Sequence, residues 1–298
     1  MKILSLSLGV ALLAVAAHAA GRPKITGIAH VDFYTTDPEA NKHLYVDVVG
    51  LASAAPVEAG ETETFRVGRQ FVAYSPAPDP KLADRMDHVA FATDDCAGLR
   101  TYLAANGVKV PASCAPLKDG SPSFRVNDPE GHSIEFVERS PAGAPGGGKS
   151  AALSRHLIHV GFVVHDRAAE DHFFKDILGF RLYWYGGMNP GHTDWVAMQV
   201  ADGTDWLEYM LNVKPNPDLG SNGVMNHVSL GVKDMKAAQA ELEARGWKPN
   251  DREHSQMGRD GKWQLNLYDP DRTRIELMEF TPAQKPCCSE FQGPHPTE

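Results

Sequence analysis

Four short apolar stretches of this chain each open on a histidine. They are His30-Val31-Asp32-Phe33, His88-Val89-Ala90-Phe91, His159-Val160-Gly161-Phe162 and His227-Val228-Ser229-Leu230. In the second half of the chain two of these histidines are followed 49 residues later by a glutamate, Glu208 after His159 and Glu276 after His227. Imidazole nitrogen and carboxylate oxygen are donors suited to a divalent ion such as Zn, Ni, Co, Mn or Fe. A lone histidine or glutamate on a strand usually packs or meets solvent. The repetition at fixed spacing is what asks for a common cause.

The elements that must position these residues repeat with them. An aspartate stands seven residues after each histidine, at Asp37, Asp95, Asp166 and Asp234, suited to cap a helix. Each following helical stretch ends in glycine and an apolar residue: Gly50-Leu51, Gly107-Val108, Gly179-Phe180 and Gly246-Trp247. The distance from Asp to Gly is 13, 12, 13 and 12 residues, so the chain reads as two pairs of units rather than four equal copies. Short strands rich in β-branched and aromatic residues follow each helix, at 64–67 and 70–75, 123–126 and 133–138, 181–185, 195–200 and 206–211, and 274–280. Asp128-Pro129-Glu130-Gly131 and Asp269-Pro270-Asp271-Arg272 are turns before the last strand of a unit. Each unit therefore runs strand, helix, then strands.

The 298 residues carry 22% charged and 42% hydrophobic side chains, ordinary for two globular domains. A net charge of −9 argues against a nucleic-acid partner. Residues 1–19 differ: Lys2, an apolar run and Ala17-His18-Ala19 read as a secretory signal peptide. The protein is then expected to be exported, periplasmic or secreted, with no membrane contact after cleavage. The Gly- and Pro-rich stretch 140–154 reads as a linker between domains 21–139 and 155–280, and 281–298 as a Pro-rich tail without periodicity. Four cysteines, Cys96, Cys114, Cys287 and Cys288, are too few for a disulfide framework; the adjacent pair could bind metal or cross-link the tail.

Four strand-helix-strand-strand-strand units in two pairs resemble the vicinal oxygen chelate superfamily, which includes glyoxalases, extradiol dioxygenases and bleomycin resistance proteins. The resemblance covers residues 24–280 apart from the linker. It implies an α+β fold: four βαβββ modules in two pairs, each pair a cup-shaped mixed β-sheet with helices outside. It further implies metal ligands on the first and last strands of each module, pointing into the cup. Residue by residue these are His159, Glu208, His227 and Glu276 in the second half, with Glu208 and Glu276 available as catalytic bases. In the first half they are the weaker set His30, His88 and Glu135, where Ala73 takes the place of the fourth ligand. One divalent metal per chain is expected, with the first-half set as the candidate for a second.

Two His and two Glu would leave about two open positions on an octahedral ion, where a small substrate with neighbouring oxygens can chelate. The implied activity is that of a glyoxalase-like lyase or isomerase on a small-molecule substrate, in a monomer or homodimer. A ring-cleaving extradiol dioxygenase and a non-enzymatic binder are the alternatives. Against the dioxygenase, its pattern has a tyrosine three residues before the last Asp-Pro, where this chain has Asn266, and Arg125 in the other half. Its glycine after that turn is met at Gly131 and fails at Arg272. Trp184, Tyr185, Trp195, Tyr209 and Trp263 could form an aromatic wall or pack in the core. His165, His192 and His254 fall in loops that could reach a cup mouth or lie at the surface.

Overall fold

The computed structural model describes residues 21–139, 151–189, 191–249 and 254–298. The signal-peptide reading of residues 1–19 and most of the linker lie outside the described residues.

The first half builds β1 (Ile25–Thr35), β2 (Ala52–Ser53), β3 (Glu63–Val67), β4 (Gln70–Pro76), β5 (Met86–Thr93), β6 (Ala115–Pro116), β7 (Pro122–Asn127) and β8 (Ser133–Glu138). The second builds β9 (Leu157–Val163), β10 (Arg181–Gly186), β11 (Trp195–Gln199), β12 (Trp206–Met210), β13 (His227–Val232), β14 (Gln256–Met257), β15 (Trp263–Tyr268) and β16 (Arg274–Glu279). Each half forms one eight-stranded mixed sheet. The orders are β2-β3-β4-β1-β5-β8-β7-β6 and β10-β11-β12-β9-β13-β16-β15-β14. At the centre of each, the first strands of two modules lie antiparallel, and each is flanked by a parallel strand from its own module. This is the α+β cup, with two βαβββ modules per sheet.

Alternation decides what each central strand carries. Val31 and Phe33, Val89 and Phe91, Val160 and Phe162, and Val228 and Leu230 all enter one apolar core. The histidines point to the other face, into the cup. The capping aspartates are where the spacing puts them: Asp37, Asp95, Asp166 and Asp234 accept from Ala40, Gly98, Ala169 and Ala237 N–H at 3.1, 2.8, 3.1 and 2.9 Å. The glycines ending the helices have φ of 81°, 83°, 78° and 92°, a left-handed conformation that closes a helix at little cost only for glycine.

The first and third modules differ from the others in one way. Their helices, Pro38–Lys42 and Arg167–Glu170, pass into π-helical turns at His43–Val48 and Asp171–Ile177. Val49 N–H reaches Leu44 O and Leu178 N–H reaches Phe173 O, five residues back, at 2.9 and 3.0 Å. The corresponding helices of the second and fourth modules, Cys96–Ala105 and Met235–Ala244, are regular. The extra residue of the π turn is the physical content of the 13-against-12 spacing.

The two sheets share one apolar core. Phe91 meets Phe180 edge-on at 5.2 Å, and Gln70 donates to Ile28 O and Leu157 O at 3.0 and 2.8 Å. Asp271 accepts from Thr35 Oγ1 and Thr36 N–H and pairs with Arg85, all across the boundary. The end of the linker is docked, with Leu153 N–H on Val49 O and Ser154 buried.

The same boundary holds Glu170, fully buried beside Asp128, Glu130 and Asp166. Burial first, and those carboxylates second, push its carboxyl up to about 8. The folded protein therefore holds a proton that the unfolded chain releases near its ordinary value, and this contribution to stability disappears as pH rises from about 4.5 to about 8. Asp269, pushed up to about 7 chiefly by burial, acts in the same direction. Glu170→Gln is expected to raise the urea midpoint at pH 8.5 by an amount worth 1 kcal/mol or more, up to about 1.4 kcal/mol per pH unit between the two values. At pH 4 the midpoint should barely change. Equal midpoint changes at the two pH values would mean that Glu170 binds its proton equally well in the folded and unfolded states.

Candidate metal centre

In the second half, strand register alone brings four donors to one face. Glu208, Gly161 and His227 form one row across β12, β9 and β13; His159, Ser229 and Glu276 form the next across β9, β13 and β16. Residues paired across strands point the same way, and both rows face the cup. The Nε2 atoms of His159 and His227 approach to 3.0 Å. Glu276 Oε2 lies 3.2 Å from His159 Nε2, and Glu208 Oε2 lies 3.5 Å from His227 Nε2 and 3.9 Å from His159 Nε2. Gly161 is required here, since a Cβ at this position would stand 2.1 Å from the His227 ring.

The electrostatics suit a cation. His227 Nδ1 donates to Met225 O at 2.7 Å, which leaves Nε2 as the lone-pair nitrogen. Burial first, then Arg274, lower the His227 pKa, so its neutral, metal-binding form is favoured. Burial alone would raise Glu276, but His159 and Arg274 outweigh it and bring it to about 2. Glu208 is also lowered, against burial, by His227 and His159. Buried Glu276 Oε2 and His159 Nδ1 have no hydrogen-bond partner. Two imidazoles and two ionised carboxylates, with a buried carboxylate oxygen left over, fit a divalent metal.

The first half holds a comparable gathering with a different fourth member. His30 and Glu135 occupy the positions of His159 and Glu276, while Ala73 and Asp32 occupy those of Glu208 and Gly161. Glu58, from the segment between β2 and β3, supplies the missing carboxylate: its Oε1 lies 3.4 Å from His30 Nε2 and 3.2 Å from His88 Nε2. Glu135 Oε2 is 3.1 Å from His30 Nε2, and the two Nε2 atoms are 3.2 Å apart. His30, Glu58, His88 and Glu135 thus form a four-donor set.

This set already contains a cation. Arg125, paired with Glu135 across β7 and β8, is ion-paired to Glu58, and its Nη2 lies 3.0 Å from His88 Nε2. Asp32, Asp87, Glu135 and Glu58 hold the His88 pKa well above its usual value although burial opposes them. His30 is raised too, against burial, by Glu135, Glu58 and Asp32. A guanidinium already lies among the carboxylates of the first cluster, so a metal there must displace a side chain.

Beside the second cluster is a cavity of about 90 Å³. Glu208 and Glu276 form part of its wall, with Tyr183, Trp184, Trp195 and Trp206 around them. Of the expected aromatic residues, Trp184 and Trp195 are there. Tyr209 packs on Phe174 in the core, and Tyr185 and Trp263 are partly exposed at the surface. His165, His192 and His254 are exposed and outside this wall; His165 pairs with Glu130 at the boundary between the sheets. Trp206, stacked on His159 with ring centroids 4.7 Å apart, was not singled out by its spacing.

The tail supplies the rest. Gln292 N–H bonds Tyr183 O, Trp184 Nε1–H bonds Cys287 O, and Tyr183 Oη lies 2.5 Å from His295 Nδ1. These contacts seat Phe291 in the cavity wall. Lys262 is fully buried behind it, 4.6 Å from the Trp206 ring and 5.4 Å from those of Tyr183 and Phe291. Burial lowers its pKa to about 8, against the pull of Asp260, Glu276 and Glu208. Cys287 and Cys288 are joined in a disulfide, and so are Cys96 and Cys114. The tail is therefore cross-linked within itself. A third acidic gathering, Asp128, His132 and Glu170, is explained by hydrogen bonding, because Asp128 Oδ1 accepts three backbone N–H groups and Oδ2 meets His132 Nδ1 at 2.7 Å.

Paired βαβββ modules with histidine and glutamate converging in each cup define a metal-site scaffold of the vicinal-oxygen-chelate type. The chain belongs to the Glyoxalase/Bleomycin resistance protein/Dioxygenase superfamily, whose model matches residues 27–136 and 156–277. Among solved structures it is similar to homoprotocatechuate 2,3-dioxygenase from Brevibacterium fuscum, studied as its E323L mutant, with 18% identity over 92% of this chain and 74% of that one, TM-score 0.64. A Mn(II)-bound glyoxalase from Novosphingobium aromaticivorans matches at 22% identity over 86% of this chain and 83% of that one, TM-score 0.64. The 2,3-dioxygenase LapB from Pseudomonas sp. KL28 matches at 16% identity, 92% and 95% coverage, TM-score 0.63. At these identities the likeness is one of fold. No curated protein matches.

Proposed function

We propose that the second cup is the site of a metal-dependent lyase or isomerase of the glyoxalase type, acting on a small substrate with neighbouring oxygens. The observation that carries this reading is the convergence of His159, Glu208 and His227, with Glu276 against His159, beside an aromatic-walled cavity. These four residues would hold one divalent ion, which when bound supplies Lewis-acid stabilisation of an enolate-like oxygen. The two carboxylates are not equivalent. Glu276 is buried with 3% of its side chain exposed and lies against His159, whereas Glu208 is 14% exposed and lies between the two imidazoles, 3.5 Å from His227 and 3.9 Å from His159. The greater exposure of Glu208 supports it as the group that takes and returns a proton at a substrate carbon, with Glu276 holding His159 in position. Trp184, Trp195 and Phe291 exclude water from the proton's path and favour a substrate with an apolar body.

The test is deuterium exchange at the carbon beside the carbonyl in a panel of 2-hydroxy and 2-oxo carbonyl compounds, with the Mn(II)- or Ni(II)-loaded protein. Glu208→Gln should lower exchange by the 10²–10⁴-fold typical of a lost general base while retaining most of the metal. Oxygen uptake on catechols, with no exchange, would instead favour the extradiol dioxygenase, for which His159, His227 and Glu276 form the facial triad. No turnover of either kind by metal-loaded protein would leave the reading of a binder.

We further propose that the protein is exported. The apolar run ending at Ala17-His18-Ala19 and the Cys96–Cys114 disulfide support an oxidising destination. N-terminal sequencing of protein from the cell envelope should begin at or near Ala20; an intact Met1 on cytoplasmic protein would overturn this.

A further inference from the structure

Lined by β1, β3 and β4 of the first sheet and by Arg155, His156 and Asp205 of the second half is a cavity of about 740 Å³, the size of a site for a small organic ligand. Its floor is apolar, formed by Ile28, Ala29, Ala92 and Phe71. Two guanidinium groups converge on the Phe71 ring, Arg66 at 5.3 Å and Arg139 at 5.0 Å from its centroid. Arg69 and Arg155 stand on the rim of the same cavity.

The acids of the lining are already engaged. Asp119 pairs with Arg139 Nη1 at 2.8 Å, Asp205 with His156 at 2.7 Å, and Glu298 with Lys233. Arg139 still has two buried nitrogens, Nε and Nη2, with no hydrogen-bond partner. Arg66 has no ion pair among the described residues, only its contact with Phe71. Two positive charges on one ring repel each other, and buried N–H donors left unpaired cost free energy. An oxyanion bound between them would relieve both penalties, because a guanidinium offers carboxylate or phosphate a matched pair of donors.

The second cup lacks this arrangement. Trp206 and Gln199 occupy the places of Phe71 and Arg66 by strand register, and Phe280 packs against His156 nearby. Among the described residues, two arginines on one aromatic ring are therefore found in the first cup and not in the second, while Arg155, His156 and Asp205 of the second half complete the pocket's rim.

We propose that this pocket binds an organic oxyanion, with the carboxylate or phosphate head held by Arg66 and Arg139 and an aromatic or alkyl body lying on the Phe71–Ala92 floor. The site is distinct from the second cup, and its occupancy does not depend on the metal there. Calorimetric titration of the full-length protein as isolated, with phenyl phosphate, benzoate and phenol as probes, tests it. Saturable binding of one or both anions, with phenol at least tenfold weaker, is expected, and the stronger anion identifies the head group. Arg139→Gln and Arg66→Gln should each weaken that anion tenfold or more, the usual scale for a lost charge-assisted pair, with circular dichroism confirming the fold. Arg274→Gln, which alters the second cavity, should leave the binding unchanged. The proposal is overturned by the absence of saturation up to about 10 mM. It is equally overturned by phenol binding as well as the anions, or by sensitivity to Arg274→Gln instead of to the two first-half variants.

Discussion

His227→Ala is expected to empty the second cup of its divalent metal, and His88→Ala to leave the metal content of the protein unchanged. His227 Nε2 is 3.0 Å from its partner imidazole, its Nδ1–H is fixed on Met225 O, and its ring is seated over Gly161. No other described nitrogen is positioned to replace it. Loss even of a residue that merely orients a metal ligand typically weakens binding ten- to hundredfold, and loss of a ligand should exceed that. His88 sits in a cluster where Arg125 and raised imidazole pKa values already balance Glu58 and Glu135. The measurement is metal content of the two purified variants side by side. A protein emptied by His88→Ala and filled after His227→Ala would move the active site to the first half, with His30, His88 and Glu135 as its triad and Glu58 beside them.

Arg125→Met should have the opposite effect, raising metal content from one ion per chain to two. The guanidinium stands where it would repel an incoming ion. Two unit charges 4 Å apart interact by about 4 kcal/mol at an effective dielectric constant of 20, and a divalent ion doubles this. Removing Arg125 also releases the Glu58 carboxylate, which then faces His30 and His88 with no cation of its own. We expect first-half affinity to rise at least a hundredfold, read as a second transition in a zinc or manganese titration. Retention of a single transition would show that something other than Arg125 closes the site, and two transitions in the parent would show that it is open already.

The repeat made the architecture legible. His-Val starts, capping aspartates and terminal glycines mark every module because they serve local geometry, which each module must solve alone. The second-cup ligands were legible through the resemblance and the 49-residue spacing, and strand register places them on one face. Glu58 was not. It lies on an irregular stretch between Ser53 and Glu63, where no strand or helix period assigns a side chain to a face, and aligning modules shows only Ala73 at the expected place. Arg125 was visible as a departure from the dioxygenase pattern, but its approach to His88 depends on β7 pairing with β8. Phe291 and Lys262 were hidden for a different reason. A tail without periodicity gives no sign of where it docks, and a lysine among aromatic residues reads as surface until the tail covers it. The Cys287–Cys288 disulfide lies in the same tail, and Cys96–Cys114 joins a helix start to the irregular stretch before β6, where no period assigns a side chain to a face.

The π turns bear on the history of the chain. An inserted residue in a helix usually shifts every side chain beyond it, so two insertions at matching places are hard to acquire separately. Here they occur in the first module of each pair and in neither second module. The simplest order is that one module duplicated, its leading copy gained the residue, and the resulting pair was then copied whole. On that order the two cups began with the same ligands. Asp32, Ala73 and Arg125 in the first, or their counterparts Gly161, Glu208 and Asn266 in the second, are then later divergence between twins, and the chain carries its own internal outgroup for asking which cup departed from the ancestor.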